Sequence, residues 1–224
     1  MNHHRGTTKQ LERIRALNLP SWGFTIYRTV YTPASDSQWP TFLSILDAYI
    51  QNEINMELHV HREHQPSVEP LDPTPNEQLI GLYHSDIISA RELLDGASII
   101  KVRQLYQERV RSLRNESEGP IPQRSVCLYV DAKVLDAVAG APITPETSVT
   151  IAQMEALYVK VVDVNFEADE DEEPHPRMPQ PPYSGWMKCS IMCLWRLWTM
   201  LEYQEMEDFA PVDLGGGVME TFTG

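Results

Sequence analysis

Residues 185–203, GWMKCSIMCLWRLWTMLEY, are apolar nearly all round, and their reading sets the back half of the fold. Trp186, Ile191, Leu194, Trp195, Leu197, Trp198 and Leu201 leave no polar stripe, so the spacing predicts one helix over 185–203 that needs cover on most sides. Its apolar centre, 189–201, is thirteen residues long and contains Arg196, well short of the roughly twenty residues a membrane-spanning helix requires. If the rest of the chain leaves one face uncovered, Trp195 and Trp198 become anchors for a protein partner or for self-association, because aromatic residues concentrate at interface centres. If every face is covered, the segment is a core helix.

Before this run, six of the seven residues 167–173 are acidic and prolines continue to Pro182, so 167–184 is expected to form an acidic, Pro-rich loop. Residues 156–166 (ALYVKVVDVNF) and 125–131 (SVCLYVD) read as strands, with a short helix over 133–138. Val102, Leu105, Tyr106, Val110 and Leu113 recur at helical spacing and predict a helix over 98–113 capped by Ser98. Residues 79–88 read as a strand, and 65–78 as a Pro-rich loop.

Phe42, Ile45, Leu46, Tyr49, Ile50 and Ile54 form one helical stripe, in a helix expected to start near 36–39 with Pro40 in its first turn. In the strand 23–31, Phe24, Ile26, Arg28 and Val30 point one way and Thr25, Tyr27, Thr29 and Tyr31 the other. Residues 7–18 make a short amphipathic helix through Leu11, Ile14 and Leu17.

This order predicts a single α+β domain over 20–203, with a 1–19 extension and a flexible tail over 204–224 marked by Gly215, Gly216 and Gly217. The expected architecture is ferredoxin-like: a small sheet of about four strands with helices on one face, a helix inserted at 98–113 and one appended at 185–203. An open three-layer parallel sheet is the alternative. The pattern Trp22-Gly23-Phe24, Ile26-Tyr27-Arg28, Tyr31, Asp36 and Trp39, then 94–98 (LDGAS), Val102-Arg103 and Gly185-Trp186-Met187, resembles a broad group of uncharacterised fungal proteins. That resemblance implies no activity, cofactor or site residue.

With 32 acidic against 18 basic side chains and a net charge of −14, the chain would repel a phosphate backbone, so nucleic acid is not an expected partner. The first residues lack a secretory signal, and three cysteines, an odd number, fit reduced thiols. A cytoplasmic protein, or a nuclear one, is expected.

Arg28 lies on the most apolar face of its strand and must find carboxylate or carbonyl partners. Asp131, Asp163 and Asp47 are candidates for an internal pair. The other reading has Arg28 bind an anion in a cleft between the sheet and the 98–113 helix, lined also by Tyr27, Tyr31 and Asp131. Asp131, just before a helix, is more simply an N-cap. His59, His61 and His64 do not converge on either a helix or a strand, and Cys189 with Cys193 supplies half a zinc site at most. Consecutive His84, Ser85 and Asp86 cannot form a catalytic chain, and no phosphate-binding loop occurs. No metal, cofactor or catalytic residue is therefore assigned. The expected function is a non-catalytic binding or protein-interaction module. A small-molecule binder or enzyme using the Arg28 cleft is the alternative.

Overall fold

Strand β1 (Thr25–Arg28) lies inside a six-stranded mixed sheet. The sheet order is β2 (Asp86–Ile88), β1, β3 (Val126–Val130), β4 (Tyr158–Asp163), β5 (Trp186–Ser190) and β6 (Thr221–Phe222). The structure is a computed structural model that describes residues 6–64, 69–113, 122–145, 149–167, 183–211 and 219–224. β1 pairs in parallel with β2 and β3, β3–β4–β5 are antiparallel, and β6 runs parallel to β5.

Parallel neighbours need long crossovers, and here the two lie on opposite faces. From β1 to β2 the chain passes through α2 (Pro33–His64) and α3 (Thr74–Leu82). The α2 stripe from Phe42 to Ile54 packs with Phe24, Ile26, Leu128, Val161 and Met187 in the larger core. From β2 to β3 it passes through α4 (Arg91–Leu94), α5 (Ile99–Leu113) and α6 (Pro122–Ser125). Val102, Tyr106 and Val110 of α5 cover Tyr27, Cys127, Tyr129 and Val162 on the other face. On the first face lie also α1 (Gly6–Ala16), α7 (Ala132–Val138) and α9 (Leu194–Met200), while α8 (Ile151–Ala156) leads into β4.

The ferredoxin-like expectation is thus overturned: the fold is mixed α/β, with six strands instead of about four and helices on both faces. Most of the difference comes from 185–203. Met187 and Cys189 point into the larger core while Trp186 and Lys188 point away, a period of two that places 186–190 in the sheet beside β4. A 3-10 turn at Ile191–Cys193 then leads into α9, only seven residues long. The predicted strand 79–88 is mostly α3, with three residues of β2 at its end.

Helix α2 starts earlier than expected. Thr32 and Ser35 exchange side-chain-to-backbone bonds (3.2 and 2.8 Å), and Pro33 occupies the first position, where no N–H is needed. Pro40 therefore falls inside the helix.

Residues 1–19 are more than an extension, since Leu11 and Ile14 are buried in the larger core. The tail over 204–224 is corrected too. A 3-10 turn forms at Met206–Asp208, and Phe222 of β6 packs into the core beside β5. Gly215–Gly217 and residues 168–182 of the expected acidic loop lie outside the described residues. Among the described residues no helix is long and apolar enough to cross a membrane.

Candidate functional site

Four of the residues singled out in the sequence sit at or near the C-terminal ends of β1 and β3, each bonded or packed within the chain. Arg28 is 7% exposed. Its Nε donates to Val30 O at 2.9 Å, one Nη donates to Ser35 Oγ at 3.2 Å and to Asp36, and the guanidinium lies 4.7 Å from the Tyr31 ring centroid and 5.2 Å from that of Trp39. Its carboxylate is Asp36, eight residues on in α2, and none of Asp131, Asp163 or Asp47. The strand end and helix start form a tight corner, so the nearest acid in sequence reaches it first.

Tyr31 donates to Arg28 O at 2.9 Å, and Tyr27 packs edge-on against Tyr106 of α5. Burial pushes the phenols of Tyr27 and Tyr106 up. Asp131 accepts from Val134 N at 3.1 Å as the N-cap of α7 and pairs with Lys160, which lies over the Tyr129 and Trp186 rings. None of the four is among the described residues that line the acidic cleft below.

Trp195 and Trp198 are 9% and 1% exposed, so both pack inside the chain. Their rings lie 4.9 and 5.4 Å from the ring of Trp22, and Trp198 meets Phe24 edge-on at 5.4 Å. Glu53 of α2 accepts from Trp195 N (2.7 Å) and Arg196 N (2.9 Å), capping α9 from another helix. Burial raises its carboxyl to about 8, against the pull of those two bonds and of Arg196.

His59 and His61 lie on α2, and Cys127, Cys189 and Cys193 are buried and in no disulfide. Among the described residues, no three or more His, Cys, Asp or Glu side chains are placed to hold a metal ion.

At the other end of the sheet, where β3 and β5 begin and β4 ends, lies a cleft of about 1080 Å³. Asp163, Glu167, Glu202, Glu205, Glu207 and Asp208 line it, and no Lys, Arg or His occurs among its described lining residues. Phe166, Tyr183 and Tyr203 supply aromatic surface.

Local sequence explains each wall. Asp163 Oδ1 accepts from Asn165 N at 2.8 Å, which turns the chain out of β4. Glu205 and Asp208 cap the 3-10 turn reciprocally. Arg103 of α5 reaches across, with Nε to Asp163 O at 2.9 Å and Nη to Gly185 O at 2.7 Å. Its guanidinium lies 4.8 Å from the Phe166 ring centroid. Gly185 has φ +75, and a Cβ there would fall 2.3 Å from Phe166 and 2.4 Å from Arg103, so only glycine fits.

The acids are crowded. Burial raises the Asp163 carboxyl and Glu205 adds to the rise, while Asn165, Tyr183 and Arg103 oppose it. Burial pushes the Tyr183 phenol up as well, with Asp163 and Glu207 reinforcing it. The Glu202 side chain is 3% exposed; its Oε1 accepts from Gln10 Nε2 at 2.5 Å and lies 3.0 Å from Arg13 Nε, an ion pair without a hydrogen bond. Its Oε2 meets no donor among the described residues. Burial raises the Glu202 carboxyl too.

Sequence reasoning missed this cleft because its lining comes from four separated stretches, one of them read as a flexible tail. The only local sign was the acidic and aromatic mixture in 201–209, LEYQEMEDF. Compared with known protein families, curated proteins and solved structures, the chain matches none, so its side chains alone supply the functional reading.

Proposed function

We propose that the chain is a non-catalytic binding protein that takes a cationic segment of a partner protein into the acidic cleft beyond β4. The observation that carries this reading is the lining itself: six carboxylates and three aromatic rings around about 1080 Å³, with no basic side chain among the described lining residues. Carboxylates supply long-range attraction and rings supply cation–π contact, the two ingredients of cation recognition by proteins. The buried thiols, none in a disulfide, support a reducing compartment, cytoplasmic or nuclear.

The test is fluorescence anisotropy of a labelled basic nonapeptide titrated with the full chain at low and moderate salt. Binding should weaken with salt. It should also fall by roughly tenfold in the Glu167→Gln/Glu207→Gln double variant, which removes two charges outside the reciprocal cap of the 3-10 turn. Equal binding by the wild type and the double variant at low salt, or no binding at all, refutes the proposal.

A further inference from the structure

We infer that the β5 edge is an exchangeable strand-binding groove, filled by residues 219–224 of the chain itself and able to take the same segment from a second copy. The inference is independent of the acidic cleft. Residues 219–224 hold the edge by little. Their strand β6 has two residues, paired in parallel as Lys188↔Thr221 and Cys189↔Phe222. Within the segment only Met219 and Phe222 are buried, at 7% and 8% exposed. Apolar burial of two side chains works against the ordering entropy of six backbone positions, so the docked strand is poised close to release.

The register shows what the groove recognises. Facing residues of paired strands lie on the same side of a sheet, so Phe222 shares the side of Cys189 and enters the larger core. Its ring lies 5.5 Å from that of Phe209. Thr221 lies on the other side, and its Oγ1 donates to Glu155 O at 3.3 Å. Lys188 Nζ donates to Met219 O at 3.1 Å. A slip of one residue would turn the Phe222 ring out of the core and forfeit both bonds. The groove therefore selects an extended segment with an aromatic residue directly after a threonine and an apolar residue three positions before the ring.

Backbone pairing supplies affinity and the side-chain positions supply specificity, the same division as in peptides that add a strand to an open sheet edge. The sequence that satisfies all three positions is the chain's own, so the occupant from outside is a second copy, entering by strand exchange. Tethered through positions 212–218, the segment of the same copy meets the groove at high effective concentration and keeps it filled when the protein is dilute.

The experiment titrates a labelled hexapeptide, METFTG, with the full chain. The wild type should bind it weakly, because its own strand competes. The full-chain Phe222→Ala variant should bind it about tenfold more tightly, since apparent affinity rises with the fraction of grooves left open. A hexapeptide with alanine in place of its phenylalanine should lose most of that binding. In analytical ultracentrifugation the wild type should pass from monomer to dimer as its concentration nears that of the tethered strand, on the order of 1 mM, and the variant should not. Peptide binding by Phe222→Ala no tighter than by the wild type overturns the exchange, and equal binding of the alanine hexapeptide overturns the register. A wild type that binds the peptide yet stays monomeric overturns the second copy as occupant. If Phe222→Ala does not fold, Met219→Ala takes its place; unfolding of both overturns the inference, because the strand is then integral to the core.

Discussion

Replacing Glu53 by glutamine should make the protein more stable in mild alkali and leave it nearly unchanged in mild acid. Burial raises the Glu53 carboxyl from 4.5 to about 8, so between these values the folded chain holds a proton that the unfolded chain has released. Stability therefore falls as pH rises through that window and levels off above about 8. At about 1.4 kcal/mol for each tenfold change in ionisation, the loss from pH 5 to pH 8.5 has a ceiling of about 4 kcal/mol.

Glutamine keeps a carbonyl oxygen for Trp195 N or Arg196 N and carries no charge at any pH, so the variant should escape this loss. At pH 5 the neutral acid and the amide are near equivalents, and the two proteins should agree within about 1 kcal/mol. At pH 8.5 the variant should unfold at higher urea, with a melting temperature higher by on the order of 10 °C. Urea unfolding of both proteins at half-unit pH steps measures the difference directly, and subtraction removes the other carboxylates that burial raises in the same direction, such as Asp47 and Glu202. A difference between the two proteins that stays constant from pH 5 to 8.5 would refute the reasoning.

Two further outcomes follow from packing. Trp198→Ala empties a site 1% exposed between Trp22 and Phe24 and should cost about 3–5 kcal/mol in urea unfolding; a loss below about 1 kcal/mol would mean the three-tryptophan cluster is not a packed core. Gly23→Ala should cost at least about 2 kcal/mol, seen as a lower melting temperature, because φ is +147 and the added Cβ would lie 2.3 Å from the His84 carbonyl oxygen. An unchanged melting temperature would show that this backbone crossing can spread apart.

Elements with one strong period were legible in the sequence. The alternation of β1 assigned Phe24 and Ile26 to one face and Tyr27 to the other, and the stripe of α5 and the cap of α7 at Asp131 read directly. Residues 185–203 were not legible, because a strand with one buried face followed at once by a buried helix leaves apolar residues at every spacing. Two features were too short for any periodic test: β2 and β6, with three and two residues, depend on neighbours already in place. The candidate site was hidden for a different reason, since Asp163, Tyr183 and Glu205 meet only once the sheet and α9 have brought their loops together. Arg28 was recognised as needing an internal partner, yet spacing alone favoured distant strand-end acids over Asp36 in the adjoining helix.

The strand order also fixes how far apart in the chain partners must find each other. Tyr129 meets Lys160 after 31 positions, so the antiparallel half can zip up from nearby contacts. Thr25 must await Cys127, 102 positions on, with both crossovers already spanning opposite faces. Distant pairings of this kind slow folding, because loop-closure entropy is lost before any contact compensates for it. The β1–β3 seam is the strand pairing with the longest separation in the sheet, and an emerging polypeptide leaves the inner edge of β1 without its β3 partner until residue 130 has been made.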